Sequence, residues 1–485
     1  MMPHLNSHYI KHLNLKLVCL AVAAALLSGC KSVGPDYQRP PLPLPAQYSE
    51  AGSQAQAAVS STWWTLYQDP TLNDLIDKAL QNNTDLKLAV ARIEEADAVM
   101  QEVGAALLPQ VDLNAAASHS RVTEAGSNSI TSANPQSNYK VQLETSFELD
   151  FWGKLRRAKE SSIAQALSTR YAKDTIALSL SGLVTSNYLV LRSLDSQIAV
   201  SQDNLKNRDT SLALTQRRLK GGIASALDVQ QATVASANLS AQLTELNRLR
   251  ALSVNQLAVL TGVLDLNIAR TNITSTLIPP TPPAGLPSSL LEARPDIRQA
   301  EELMIAANAN IGVAKAALYP TISLTANLGG ESLVLGDILK SAARIWTGGL
   351  SLNLPIFDSG KRNARVDQAS AKQKQALASY EGAIQNAFRE VNDALVNLRQ
   401  YTELEAALLR SQEAAAIALE ISTNRYQSGY SAYLDVLDTQ RVYNDAALAF
   451  IQSRQARLVA TVALFKALGG GWQADAEGLK NANGM

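Results

Sequence analysis

Two periodicities alternate along this chain, and the alternation occurs twice. Tyr139, Val141, Leu143, Thr145, Phe147, Leu149 and Phe151 interleave with Lys140, Gln142, Glu144, Ser146, Glu148 and Asp150. That period of two predicts a strand with one apolar and one polar side. Val111, Leu113, Ala115 and Ala117 follow the same rule after Pro109; so do Ile322, Leu324, Ala326 and Leu328, and then Trp346, Leu350, Leu352, Leu354 and Ile356. Behind each strand pair the period lengthens. Ile176, Leu180, Leu183, Asn187, Val190 and Leu194 step by four and three, the coiled-coil repeat, and Ile384, Phe388, Val391, Leu395 and Leu398 resume it. Lys154 to Leu219 contains no strong breaker, which predicts a helix of roughly 100 Å. Gly221-Gly222 and Ser428-Gly429 offer residues that tolerate positive φ and end the long helices. Return helices are predicted over about 225–261 and 432–467. Each copy is thus a long antiparallel helical hairpin, whose apolar stripe needs neighbours in other subunits.

The landmarks themselves are duplicated. Arg218-Leu219-Lys220-Gly221-Gly222 runs into Leu227-Asp228-Val229, and Arg425-Tyr426-Gln427-Ser428-Gly429 runs into Leu434-Asp435-Val436, an offset of 207. The same shift carries Gly153-Lys154 onto Gly360-Lys361, while an offset of 211 carries Leu108-Pro109 onto Tyr319-Pro320. Ordered repetition marks two copies of one unit, with a period far too long for a solenoid. Prolines crowd 35 to 45 and 279 to 295 and punctuate the units. The resulting parse is a signal peptide over 1–29, an acylated arm over 30–70, a first repeat over 71–278, a Pro-rich linker over 279–294, a second repeat over 295–467 and a tail over 468–485. Each repeat is expected to hold a helix, two strands and the helical hairpin.

Alternation over about ten residues suits a membrane strand facing lipid on one side and water on the other. A soluble, half-buried sheet has the same pattern. The N-terminus favours the membrane. Lys11, His12 and Lys16 precede an apolar run from Leu17 to Leu27, which is too short to span a bilayer. It ends in Leu27-Ser28-Gly29-Cys30, which resembles a bacterial lipobox and makes Cys30 the acylated first residue of the mature chain. Ser32 follows Lys31 where lipoproteins retained at the inner membrane usually carry Asp, so the resemblance sorts this one outward. A chain that crosses lipid without helices must close a barrel, and four strands cannot close around a pore. Transmembrane strands here therefore require oligomerisation.

Composition narrows the chemistry. Among 485 residues, 43 basic side chains balance 43 acidic ones, so no global field attracts nucleic acid. Cys19 leaves with the signal, as do His4, His8 and His12, leaving Cys30 to carry lipid and His119 as the last histidine. A thiol nucleophile, a histidine metal cluster and a Ser-His-Asp triad all lack parts. Ser359-Gly360-Lys361-Arg362 lacks the earlier Gly and the final Ser/Thr of a phosphate loop. An enzyme is not expected.

Several blocks together resemble the TolC-type outer-membrane efflux channels, specifically their lipoprotein (OprM/NodT-like) branch. They are Trp63-Trp64 through Asp69, Leu72, Leu75, Ala79-Leu80, Asn83 and Asp85-Leu86; Glu148-Leu149-Asp150-Phe151-Trp152-Gly153; Ala293-Arg294-Pro295-Asp296-Ile297; and Leu354-Pro355-Ile356-Phe357-Asp358-Ser359-Gly360-Lys361. The resemblance implies an α+β membrane protein: a homotrimer whose twelve strands, four per chain, form one outer-membrane β-barrel continuous with a long periplasmic α-helical barrel. It implies an equatorial belt from about 263 to 290 and the tail. It implies a lipid-anchored, passive exit duct of a tripartite pump, joined by a periplasmic membrane-fusion adaptor to an inner-membrane transporter of the RND type. No cofactor is implied beyond covalent diacylglycerol and N-acyl lipid on Cys30.

The same resemblance assigns residues at the periplasmic tip. Asp435 and Asp438 stand at i and i+3 and share a helix face, which three-fold assembly would turn into two stacked acidic rings that attract cations. First-turn acids also suit the helix dipole. Tyr426 and Asp228 match positions that hold a closed tip by hydrogen bonding, although Ser431 stands where a basic latch residue is usual. Tyr426 equally suits interhelical packing, and Asp228 equally suits a capping box after Ser225. Gly221, Gly222 and Gly429 are expected at adaptor-facing turns. The competing reading is a trimeric structural or adhesive coiled-coil lipoprotein without a pore.

Overall fold

The computed structural model describes residues 32–41, 59–121, 135–279 and 289–473, with isolated positions at 43, 45, 48, 123, 281 and 282. The signal segment, Cys30 and most of the tail lie outside the described residues. The first repeat comprises α1 (Pro70–Asn82), α2 (Thr84–Ala105), β1 (Gln110–Ser120), β2 (Gln136–Leu149), α3 (Lys154–Lys220) and α4 (Ala226–Thr261). The second comprises α5 (Leu290–Ala293), α6 (Pro295–Ala316), β3 (Thr321–Ser332), β4 (Arg344–Asn353), α7 (Lys361–Gln427) and α8 (Tyr433–Ala467). Among the described residues no helix is long and apolar enough to cross a membrane.

The duplication holds to the residue. The helices α2 and α6 are both 22 residues long and lie at the offset of 211. The helices α3 and α7 are both 67 residues long and lie at the offset of 207. The two offsets differ because the connection between strands spans 121–135 in the first repeat and the shorter 333–343 in the second.

Two expectations about the repeats need correction. The first repeat opens with two helices rather than one, because each has its own N-cap. Asp69 accepts hydrogen bonds from the Thr71 and Leu72 N–H groups with Pro70 in the first turn, and Asn83 accepts from Asp85 and Leu86. The segment 279–294 is not linker throughout: α5 closes it, at the position that the offset of 211 assigns to the last turn of α1.

The four strands form one antiparallel sheet in the order β1-β2-β3-β4. Its register lines up Leu113, Leu143, Leu328 and Trp346 in one row, with Phe147–Leu324–Leu350 and Leu149–Ile322–Leu352 alongside. On the opposite face Asp112, Glu144, Asn327 and Thr347 form a polar row. The apolar face is bare in the protomer, with Leu113 69%, Leu328 61% and Trp346 78% exposed. The outer edges of β1 and β4 have no strand partner among the described residues. Four residues expected in strands fall outside them. Asp150 and Phe151 follow the end of β2, and Leu354 and Ile356 lie beyond Asn353, where β4 reaches the end of β3, its one strand neighbour among the described residues.

Helix α3 is the spine of the helical part. One core gathers Trp63, Leu72, Leu75 and Ile76 against Leu180, Val184, Tyr188, Leu257 and Phe465, with the Trp63 and Phe465 rings stacked at 5.2 Å. Full burial of each such large side chain contributes about 1.5–3 kcal/mol. The expected four-three stripe on α3 is only partly the buried one: Leu180 and Leu194 are buried, but Leu183 is 51% exposed. The buried surface is broader because α1, α4, α6 and α8 all pack on this helix. It admits small polar residues whose hydroxyls bond one turn back, as Ser181 does to Ala177 O (2.9 Å) and Thr185 to Ser181 O (2.7 Å).

Charged groups fasten the periphery. Buried Arg294 pairs with Asp296 and Glu390 and donates to Ala467 O. Glu405 accepts from Arg454 and Arg457, and Arg454 also reaches the carbonyls of Thr274 and Thr276. Trp472 in the tail donates to Asp174. The N-terminal arm lies on α6 through Tyr37 and Arg39, both bonded to Glu301.

Candidate functional site

The ends of the two hairpins carry most of the residues singled out from sequence. Both α3 and α7 finish in the same Schellman turn. In the first, Ile223 N–H donates to Arg218 O (2.9 Å) and Gly222 N–H to Leu219 O (3.0 Å); in the second, Tyr430 N–H donates to Arg425 O (2.8 Å) and Gly429 N–H to Tyr426 O (3.1 Å). Gly222 and Gly429 take φ of 75° and 77°, the region that disfavours side chains. Gly221 does not. Its φ is −84°, close to the −82° of its counterpart Ser428, so the expectation of positive φ holds only for the second residue of each pair. The turns are exposed, with Ile223 at 76% and Tyr430 at 79%.

The return helices begin differently. Ser225 caps α4 in a reciprocal box: its hydroxyl accepts from Asp228 N–H at 3.1 Å, and the Asp228 carboxylate accepts from Ser225 N–H at 3.0 Å. In α8 the N-cap is Ala432, with no side-chain hydrogen bond. Among the described residues the carboxylate of Asp435, the counterpart of Asp228, makes no capping hydrogen bond, and it lies exposed. Asp438 is exposed too, but Arg441 bonds it at 2.8 Å and also approaches Asp445 at 3.5 Å. Sequence reading missed Arg441, although its i, i+3 spacing from Asp438 is the available signal.

Tyr426 does not meet Asp228 within the protomer. Its ring lies under the Arg218 guanidinium, 4.5 Å from carbon to centroid, and 5.2 Å from the Tyr433 ring. Within the protomer Tyr426 thus packs between helices and Asp228 closes a capping box. Tyr433 is buried with Val436 and Ala232, and burial raises its phenol pKa. The Ser431 hydroxyl is buried without a hydrogen-bond partner among the described residues. Behind these residues a groove of about 730 Å³ runs between α4 and α8, lined in part by Arg208, Asn238, Gln242, Asp438 and Arg441. Burial lowers the pKa of Arg208, which donates to Ala235 O at 2.8 Å.

The other functional surface is the two-faced sheet, whose strands lead into the long helices. Trp152 stacks on Tyr319 at 4.7 Å and donates to Pro320 O at 2.7 Å, which locks the junction between the repeats. Lys154, at the start of α3, bonds Glu148. Among the described residues no group of three or more His, Cys, Asp or Glu gathers as a metal site would require.

The family model for outer membrane efflux proteins matches residues 75–263 and 286–470, one segment for each repeat. The chain belongs to that family. It is 35% identical over 476 residues to the toluene efflux pump outer membrane protein TtgC of Pseudomonas putida, covering 94% of this chain and 96% of that one. It is 33% identical over 463 residues to the cation efflux system protein CusC of Escherichia coli O157:H7, covering 94% and 99%. The solved outer-membrane channel OprN superposes with a TM-score of 0.86 at 31% identity, covering 91% of this chain and all of that one. The protein is thus an outer-membrane efflux channel of the TolC type and not an enzyme. The bare apolar face of the sheet has the chemistry such a membrane position needs.

Proposed function

We propose that three copies of this chain pool their sheets into a twelve-stranded barrel through the outer membrane, and that their long helices continue it as a water-filled duct into the periplasm. The observation that carries this reading is the four-stranded sheet itself, with one bare apolar face, one polar face and two unpaired edges. Open edges cannot be satisfied in lipid, and pairing β4 of one protomer with β1 of the next removes them all. The duct is the passive exit of a pump. A periplasmic adaptor meets the hairpin tips at Gly222, Gly429 and their exposed neighbours, and an inner-membrane transporter of the RND type supplies the energy. Cys30 carries the lipid that holds the arm to the membrane.

Asp435 and Asp438 narrow and charge the periplasmic end. Asp435 is the stronger candidate for the acidic ring, since its carboxylate is uncommitted, whereas Arg441 partly neutralises Asp438. The relatives' names mention cargo as different as toluene and cations, which supports placing substrate choice in the transporter. Purified protein reconstituted in planar bilayers is expected to conduct ions and to prefer cations. A trimer that inserts and never conducts would overturn the duct and favour the stalk without a pore. For the anchor, Cys30→Ser should abolish fatty-acid labelling; retained label refutes it.

A further inference from the structure

We infer that the polar face of the sheet carries a binding site for a hard divalent cation, calcium above all, built on Asp112, Glu144, Gln142 and Asn327. The inference rests on the duct proposed above only for placing this face toward water; the site itself lies within one protomer.

The site starts from an unfavourable pairing. Asp112 and Glu144 are direct partners across β1 and β2. Their Cβ atoms are thereby held about 4.5–5.5 Å apart, and like charges so opposed repel. Nothing basic relieves them. Glu148 and Asp150, further along the same face, pair with Lys154 and Arg156. Among the described residues no salt bridge reaches Asp112 or Glu144. Lys140, the nearest basic residue within the strands, stands four positions from Glu144, about 13 Å along the strand. A cation between the two carboxylates turns the repulsion into attraction.

A buried oxygen without a partner points to the same ligand. Gln142 is only 5% exposed. Its amide nitrogen donates to the Glu144 carboxylate, so the amide lies beside that group. Its Oε1 is buried with no hydrogen-bond partner among the described residues, and an acceptor left so bears its full desolvation cost. Gly329 makes the room for this side chain. It lies opposite Gln142 on β3, and a Cβ there would come within 2.6 Å of the Gln142 Cα and Cβ. Asn327, the partner of Glu144 on β3, repeats the pattern, with Oδ1 buried and unpartnered. A cavity of about 360 Å³ opens over the row, lined by Asp112, Glu144, Asn327 and Thr347 and by Ser146 and Thr325 of the next row.

The donor set selects the ion. Carboxylate, amide and hydroxyl oxygens are all hard ligands, and no sulfur or imidazole stands among them, which disfavours copper and zinc. Calcium accepts about six to eight oxygens in irregular geometry, whereas magnesium demands a regular octahedron and gives up its water reluctantly. Side chains splayed from three strands of one sheet suit calcium. With two charges in the site and water completing the shell, the affinity expected is that of extracellular calcium modules, a Kd of about 10⁻⁴–10⁻³ M. The bound ion ties β1, β2 and β3 together on a face that has no apolar packing of its own.

Calorimetric titration of calcium into the purified full chain, stripped with chelator in detergent at physiological ionic strength, tests the site. Asp435→Ala and Asp438→Ala are present throughout, so that the hairpin tips contribute no binding. One calcium ion per chain is expected, with magnesium at least about tenfold weaker. D112N combined with E144Q should abolish the binding. N327L keeps both carboxylates and removes one neutral oxygen, and should weaken it about tenfold; N327D adds a charge and should strengthen it about tenfold. Those two variants decide the matter if D112N/E144Q does not assemble. Diffuse attraction of ions to an acidic wall would leave N327L binding like its parent, and that result overturns the site. So does the lack of saturable binding in the parent, or unchanged binding in D112N/E144Q. Magnesium bound as tightly overturns the choice of calcium. The titration needs no open pore: a protein that binds calcium and never conducts overturns the duct and keeps the site, and one that conducts and binds none does the reverse.

Discussion

At the tips of the two hairpins Ser225 and Ala432 hold equivalent places, as do Asp228 and Asp435. In the first hairpin the Ser225 N–H donates to the Asp228 carboxylate while the Ser225 hydroxyl accepts from the Asp228 N–H; Ala432 has no hydroxyl to complete such a box, and its helix starts without a side-chain cap. The first acid is committed to its own helix, whereas Asp435 makes no such bond. The repeats differ again at the arm. Glu301 and Glu302 of α6 correspond to Val90 and Ala91 of α2, so only the second repeat can bind Arg39 and Tyr37 of the N-terminal arm. Duplication supplied the scaffold twice, and single substitutions divided the tasks.

The largest expected effect separates the two tip acids. Asp435→Ala combined with Asp438→Ala should weaken block by multivalent cations about tenfold in planar bilayers, whereas Asp228→Ala should leave block unchanged. Equal effects from both variants would break the comparison. Next come the turns. Gly429→Ala should cost about 1–2 kcal/mol in denaturation of the solubilised protein, because an alanine resists positive φ. Gly221→Ser should cost close to nothing, since Ser428 already occupies that conformation.

Glu302 sharpens the contrast at the arm. Burial, reinforced by Glu301, pushes its carboxyl up to about 7, while bonds from Arg39, Arg298 and Tyr37 outweigh burial and hold Glu301 below its usual range. An acid whose pKa is raised on folding destabilises the fold progressively as pH rises from the unfolded value to the folded one, and the loss is then constant. Glu302→Gln should therefore stabilise the protein by about 1 kcal/mol at pH 8 and leave it unchanged near pH 4. A gain of equal size at both pH values would point to packing instead. Asp228→Ala should cost about 1 kcal/mol through loss of its half of the capping box. The smallest effect is at Arg441. Replacing it with Gln frees Asp438 and should strengthen cation block about two- to threefold, as befits an exposed pair.

What the chain revealed before its structure follows from the range of each interaction. Helix ends were legible because caps are local: Gly222, Gly429 and Ser225 announce themselves within a few residues. The strand faces were legible because alternation is local too. The partners of Glu301, Glu405 and Arg294 were not, since ion pairs between distant segments leave no periodic trace. The broad burial of α3 was missed for a related reason. Its Ser and Thr residues look solvent-facing by composition, yet their hydroxyls are satisfied one turn back along the same helix. Leu354 and Ile356 mark a third case, in which alternation describes a strand that one protomer alone cannot complete.

The equality of α3 and α7, each 67 residues, also constrains how this molecule can change in size. At about 1.5 Å per residue, deleting seven residues from one helix alone would lift its tip by roughly 10 Å relative to the other. An even rim at the bottom would become a staircase that no symmetric collar could grip. Any change in the length of the helical part must be made twice, in register, by matched insertions or deletions in both hairpins.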